Sequence, residues 1–183
     1  MTDGLKHYSV MLKECIDALK VKDNGVYFDG TLGGAGHSYQ ILKSANNVKL
    51  YATDLDDYAL NRASERLKEF NGNFKLIKSN FKDFQKIVEE NGIKGFDGII
   101  LDLGVSSFQL DDKSRGFSYL AEDEILDMRM DNTSPFSALT VVNEYSEKEL
   151  AKIFFEYGEE RFSNQIARKI CEIRKKIGRA SCR

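Results

Sequence analysis

The chain has 183 residues, of which 42% are hydrophobic and 31% charged, and its formal net charge is −2. This length and balance predict a globular protein of one domain, or of one domain with an appendage. No apolar run approaches the roughly 18 residues of a membrane span, and residues 1–6 lack the apolar core of a signal peptide. We therefore expect a cytoplasmic protein without membrane contact, whose three cysteines are reduced thiols outside any disulfide framework or metal site.

The first hundred residues alternate between short apolar runs and segments with helical spacing of apolar residues. The predicted strands are 26–29, 49–54, 73–78 and 96–102. A first predicted helix is capped by Ser9. A second begins at 38, and two more span 57–70 and 83–91. The run 96–102 is apolar enough to be buried on both faces. This order predicts an α/β fold with a parallel, doubly wound sheet.

The pattern changes beyond residue 104. Residues 105–133 show no clear periodicity, and Pro135 behind Ser134 is typical of the first turn of a helix. Ser146 and Glu149 form a capping box for a helix that ends near Gly158, and a last helix follows. The five aspartates between residues 111 and 131 match no calcium-binding loop, so we predict no metal site.

Basic residues concentrate at the end of the chain. Residues 161–183 carry eight Lys or Arg against one Glu, a local charge of +7, so the first 160 residues carry −9. A basic end on an acidic body can bind nucleic acid. Alternatively, the basic residues complement the dipole at a helix C-terminus and keep the helix soluble.

The most informative stretch is a glycine-rich turn after the first predicted strand, with glycines at 30, 33, 34 and 36. Glycines let the backbone bend tightly and approach a ligand, and a helix starting near His37 would direct unpaired N–H groups into the turn. Asp29 at the strand end would repel a pyrophosphate but suits a cationic ligand. This favours S-adenosylmethionine (SAM), which carries a sulfonium and no phosphate. An ordinary turn between a strand and a helix is the alternative.

Acidic residues end three of the four predicted strands: Asp29, Asp54 and Asp102. Ligands bind at the carboxyl ends of strands in a doubly wound sheet. Asp54 follows the glycine turn at the distance typical of an acid that binds a ribose diol, although it could instead begin the next helix. Phe81 follows the third strand, where it would lie on an adenine or simply join the core. His37 would anchor the ligand or serve as a structural hydrogen-bonding group.

Asp102 lies where a methyl acceptor would meet the sulfonium. An exocyclic amine of a base is a poor nucleophile, and a hydrogen-bond acceptor on its N–H makes the lone pair more available for in-line displacement. Asp102 or the neighbouring backbone can supply that acceptor, while Gln109 would orient the base or the cofactor. The alternative is that Asp102 caps the following turn.

Seven motifs stand out along the chain: HYSVMLKE (7–14), DGTLGGAGHS (29–38), LDLGVSS (101–107), QLDD (109–112), RGFS (115–118), LDMRMD (126–131) and YGEERF (157–162). Together they closely resemble the bacterial 16S rRNA (cytosine-N4)-methyltransferase H family (MraW), in the family's order, from about residue 7 to about residue 176. The sequence departs from the family at Phe108, where proline is usual, and at 124–125, where Gly-Pro is usual.

The resemblance implies a Rossmann-like class I methyltransferase fold with a helical insert. It implies SAM-dependent methylation of N4 of a cytidine in the decoding centre of 16S rRNA, within the assembled small ribosomal subunit. The cofactor contacts it implies are Ala35, Gly36, His37, Asp54, Phe81, Asp102 and Gln109. The predicted domains are a SAM-binding core at 1–109, a loop and helical substrate-recognition insert at 110–177, and a non-matching tail at 178–183.

Family members continue for well over a hundred residues and complete their sheet there, so we expect a C-terminally truncated chain that self-associates through its fourth strand. One alternative function is a non-catalytic SAM- or RNA-binding fragment. The other is an NAD-dependent oxidoreductase, which the residue Tyr39 disfavours because it stands where the third glycine of that fingerprint belongs.

Overall fold

The computed structural model describes residues 9–120 and 124–177. The predicted tail at 178–183 and Asp123 lie outside the described residues. The chain divides into two compact units, residues 1–106 and 107–183. No helix in the described part of the chain is long and apolar enough to span a membrane.

The first unit is built on a parallel four-stranded sheet with the order β3-β2-β1-β4. The strands are β1 (Val26–Asp29), β2 (Lys49–Asp54), β3 (Phe74–Lys78) and β4 (Gly98–Ile100). From β1 the chain adds β2 and then β3 on one side, and it then crosses back to add β4 on the other side of β1. The strand order therefore reverses between β1 and β4. This is the order of the first half of a doubly wound sheet, and it confirms the predicted Rossmann-like class I fold.

Four helices accompany this sheet: α1 (Leu12–Leu19), α2 (Gly36–Ser44), α3 (Asp57–Arg66) and α4 (Phe84–Glu90). The core lies between the sheet and these helices, with Tyr27, Ile41, Leu50 and Leu67 fully buried. The predicted cap at Ser9 is wrong, because α1 begins after Met11, whose backbone is left-handed and whose side chain makes no capping hydrogen bond.

The fourth strand corrects a second prediction. It spans only Gly98–Ile100 and lies at one edge of the described sheet, hydrogen-bonded to β1 alone. Side chains alternate across a strand, and here only one face is covered: Ile100 is 9% exposed, whereas Ile99 is 49% exposed. The expectation that this strand is buried on both faces is therefore wrong for the described chain.

The second unit is helical, with α5 (Ser107–Asp111), α6 (Ala138–Glu144), α7 (Glu147–Glu156) and α8 (Ser163–Ile177). The capping box of Ser146 and Glu149 is confirmed at the start of α7. Pro135 does not occupy a first helical turn, because α6 begins at Ala138 and is capped by Ser137. The core of this unit forms where α7 packs on α8, around the buried residues Leu150, Ala151 and Ala167.

Candidate cofactor site at the strand ends

The glycine loop, residues 30–36, is held between the ends of two neighbouring strands. On one side, the Gly30 N–H donates to the Ile100 carbonyl of β4 at 3.0 Å. On the other, the Leu32 N–H donates to the Thr53 carbonyl of β2 at 3.0 Å. These bonds continue the sheet pattern past the end of β1, so hydrogen bonds within the chain fix the shape of the loop.

At two glycines of this loop, other residues approach so closely that an added Cβ would overlap them. A Cβ added at Gly36 would overlap the hydroxyl of Ser9. A Cβ added at Gly30 would overlap Leu101 and lie 3.0 Å from the Cβ of Phe81. Between them, Ala35 adopts a left-handed conformation (φ 55°) directly before α2. The loop thus brings Phe81 next to the end of β1.

Asp29 lies beneath the loop and is only 2% exposed. One carboxylate oxygen accepts from the Ser38 hydroxyl at 2.6 Å, and the other accepts from the Thr31 N–H at 3.1 Å. Burial raises the pKa of Asp29, and the two hydrogen bonds oppose that rise. The carboxylate therefore joins β1 to the loop and to α2, a structural role in place of the ligand contact that the sequence suggested.

Asp54 is half-buried at the end of β2 and also contacts the glycine loop. Its Oδ2 accepts from the Gly33 N–H at 2.8 Å, and its Oδ1 accepts from the Asp56 N–H at 2.9 Å. The cap of α3 is Asp56, which accepts from the Tyr58 N–H. The alternative that Asp54 begins the helix is therefore wrong, while its contact with a ribose stays a prediction.

Asp102 follows β4 and is exposed. Its backbone N–H donates to Thr31 Oγ1 at 2.7 Å, and its carboxylate makes no hydrogen bond or ion pair with any described residue. The alternative that Asp102 caps the next turn is wrong, because α5 begins five residues later at Ser107. Sequence reasoning missed Thr31. Its signal was a hydroxyl residue two positions after the acid that ends β1.

The other predicted contacts lie in different environments. His37 is 7% exposed in the first turn of α2, and its Nε2 lies 3.0 Å from the Val10 carbonyl oxygen, so it ties the segment before α1 to α2. Phe81 begins a short 3₁₀ turn and is 38% exposed. Gln109 is buried on α5, in the second unit. Its place relative to the glycine loop stays a prediction.

Sequence comparison with known proteins decides the family. The model of the MraW methylase family matches residues 4–181. The chain belongs to the MraW methylase family. Ribosomal RNA small subunit methyltransferase H of Exiguobacterium sibiricum is 53% identical over 165 residues, which are 90% of this chain and 53% of that protein. The protein of the same name from Clostridium botulinum is 53% identical over 170 residues, 92% of this chain and 54% of that protein.

This MraW-family chain thus spans about half the length of the curated relatives it matches. Among solved structures, an rRNA methylase from Streptococcus thermophilus is 23% identical with a TM-score of 0.43, covering 55% of this chain and 57% of that one. A putative rRNA-methylase from Clostridium thermocellum is 22% identical with a TM-score of 0.46, covering 55% and 54%. Likeness at this level adds nothing to the family assignment.

Three aspartates of the second unit make hydrogen bonds within its loops and turns. Arg129 donates to both oxygens of Asp127 at 2.8 and 2.6 Å, and these bonds lower the pKa of Asp127. Asp112 caps a 3₁₀ turn, and Asp131 accepts from Thr133. Within residues 9–120 and 124–177, no cluster of three or more His, Cys, Asp or Glu side chains is suited to a metal ion.

Proposed function

We propose that this protein uses SAM to methylate N4 of a cytidine in the decoding centre of 16S rRNA, with the first unit binding the cofactor. The observation that carries the proposal is the glycine loop of an MraW-family chain, fixed between strand ends that place Asp54 on one side and Asp102 on the other. The names of the relatives, ribosomal RNA small subunit methyltransferase H, support an rRNA substrate.

The residues of the first unit suit SAM. Asp54 is half-buried, and each of its oxygens accepts a single N–H from the chain, which leaves lone pairs for the hydroxyls of a ribose. Phe81, partly exposed beside Gly30, provides an aromatic surface for an adenine. The buried carboxylate of Asp29 keeps the loop in shape from below. We also propose that the cofactor contacts Ala35, Gly36, His37, Asp102 and Gln109.

The chemistry we propose for Asp102 is to orient the acceptor amine. When bound, SAM supplies a methyl group that its sulfonium makes electrophilic. The Asp102 carboxylate is exposed and makes no hydrogen bond with the described residues, so it is free to accept an N–H from N4 of the base. That bond directs the nitrogen lone pair away from the ring and towards the methyl carbon. SAM would supply the methyl group there, and the proton released from the methylated amine would pass to the Asp102 carboxylate that accepts this N–H.

Charge supports RNA as the partner. On α8 and in the turn before it, Arg161, Lys169 and Lys175 are exposed and make no ion pair with a described residue. Arg168 lies 3.5 Å from Glu147, so part of the helix charge is compensated. We propose that this basic surface contacts rRNA phosphates within the small ribosomal subunit, which also implies a cytoplasmic location.

The test separates the proposed function from its two alternatives. Titration calorimetry of the chain with SAM and with NAD measures cofactor choice, and NAD binding without SAM binding would favour the oxidoreductase. Transfer of labelled methyl from SAM to small subunits lacking the modification measures catalysis, with a full-length relative as positive control. SAM binding without transfer by this chain would favour the non-catalytic SAM- or RNA-binding alternative.

A further inference from the structure

We infer that Thr31 is a positioning residue that fixes Asp102 relative to the cofactor loop. Its importance for methyl transfer rests on the proposed function. Its effect on Asp102 is a property of the fold and can be measured without any ligand.

The backbone of Thr31 is held in place by the buried residues Asp29 and Ser38. Its backbone N–H donates to the Asp29 carboxylate, whose other oxygen accepts from Ser38 in α2. Asp29 is 2% exposed, and the side chain of Ser38 is fully buried. A buried carboxylate without hydrogen bonds would be strongly unfavourable, so both partners are held in place. Thr31 therefore has a fixed backbone position at the end of β1.

The side chain of Thr31 reaches the segment after β4. The pairing of β1 with β4 ends where Gly30 donates to the Ile100 carbonyl, and two residues later the Asp102 N–H donates to Thr31 Oγ1 at 2.7 Å. Packing holds this segment only in part, because Leu101 lies against Gly30 but is 46% exposed, and Leu103 is 69% exposed. The hydroxyl of Thr31 thus links the buried frame under the loop to the residue proposed to orient the acceptor amine.

The fold supplies a matched control at Thr53. This threonine is fully buried, and its hydroxyl donates to the Gly30 carbonyl at 3.1 Å. Its side chain supports the same loop through this one hydrogen bond but makes none with Asp102. Loss of its hydroxyl should destabilise the loop without releasing the segment after β4.

The experiment compares Thr31→Val, Thr31→Ala and Thr31→Ser with Thr53→Val in the 183-residue chain. Amide hydrogen exchange reports the Asp102 N–H, and calorimetry reports SAM affinity. Val and Ala both remove the acceptor but differ in bulk, so agreement between them excludes a steric effect. We expect both to speed exchange at Asp102 by about two- to tenfold and to weaken SAM by a similar factor, the range for one hydrogen bond. Thr31→Ser should restore both values.

Three results would overturn the inference. The first is unchanged exchange at Asp102 in both Thr31→Val and Thr31→Ala. The second is equal acceleration in Thr53→Val, which would mean general loosening of the loop. The third is weaker SAM binding with unchanged exchange, which would make Thr31 a direct ligand contact. If the unmodified chain fails to bind SAM, the proposed function fails, while the exchange data still decide the role of Thr31 at Asp102.

Discussion

Replacing Asp54 by alanine tests the centre of the candidate site, because its carboxylate both shapes the glycine loop and faces the proposed ribose position. Asp54→Ala removes two hydrogen bonds, from the Gly33 N–H at 2.8 Å and from the Asp56 N–H at 2.9 Å. Bonds to a charged group contribute about 1.5–3 kcal/mol each, and the half-exposed carboxylate belongs at the low end of that range. We expect the free energy of unfolding to fall by about 2–3 kcal/mol, which lowers Tm by about 4–12 °C in a protein of this size.

The same change should weaken SAM by about 1.5–3 kcal/mol, or roughly 13- to 160-fold in Kd, because the ribose hydroxyls lose a charged acceptor. Asp54→Asn adds a sharper test. An amide has one oxygen and one NH2 group, so it can accept only one of the two backbone N–H groups and turns a donor towards the other. We therefore expect Asn to recover at most half of the stability lost in Asp54→Ala.

Thermal melts and calorimetry measure both effects, with Asp56→Ala as the matched control. That variant loses the hydrogen bond that caps α3, at a cost of about 1 kcal/mol in stability, but leaves the bond between Asp54 and Gly33 intact. Its SAM affinity should be nearly unchanged. If Asp54→Ala weakens SAM no more than Asp56→Ala does, Asp54 is a loop-shaping residue and not a cofactor ligand.

Four further predictions follow from other parts of the chain. In a methyl-transfer assay, Asp102→Asn should lower methyl transfer far more than SAM affinity, whereas equal losses would make this residue a cofactor ligand only. Arg129 lowers the pKa of Asp127, so the stability from this pair is present above the ordinary value of 3.8 and is lost as pH falls through the lowered value. In Asp127→Asn, the free energy of unfolding should not show this loss as pH falls. An acid-unfolding curve identical to that of the unchanged protein would contradict a stabilising role for the pair. Changing Arg161 and Lys169 to glutamine should reduce the slope of log K for rRNA against log salt by about 0.7–0.9 per lost phosphate contact. The SAM affinity of that variant should be unchanged, and a control variant with a lysine of α1 changed to glutamine should keep the original salt slope. Because β4 is an edge strand of the described sheet, we expect self-association through it, which light scattering over a concentration series detects, and a monomer at every concentration would refute it.

The sequence by itself determined the local elements and their order. The periodicity of apolar residues located all four strands, and β1 and β2 have the predicted bounds. The capping box at Ser146 was also predictable, because its two hydrogen bonds join residues three positions apart. The alternation of strands and helices was enough to predict a parallel doubly wound sheet, since parallel neighbours require crossover connections. The family motifs were visible for the same reason, as each is a continuous run of residues.

Only the tertiary structure decided which way the chemical groups face. Asp29, Asp54 and Asp102 look alike in sequence, as acids that end strands, yet the first is buried beneath the loop, the second is half-buried, and the third is exposed. Their difference comes from partners far away in the chain, such as Thr31 and Asp102, which are 71 positions apart. The exposed face of β4 likewise depends on which segments pack against that face, and a local apolar run carries no information about them. Periodicity reports the conformation of a segment, whereas burial and hydrogen bonding depend on segments that meet only in the folded chain.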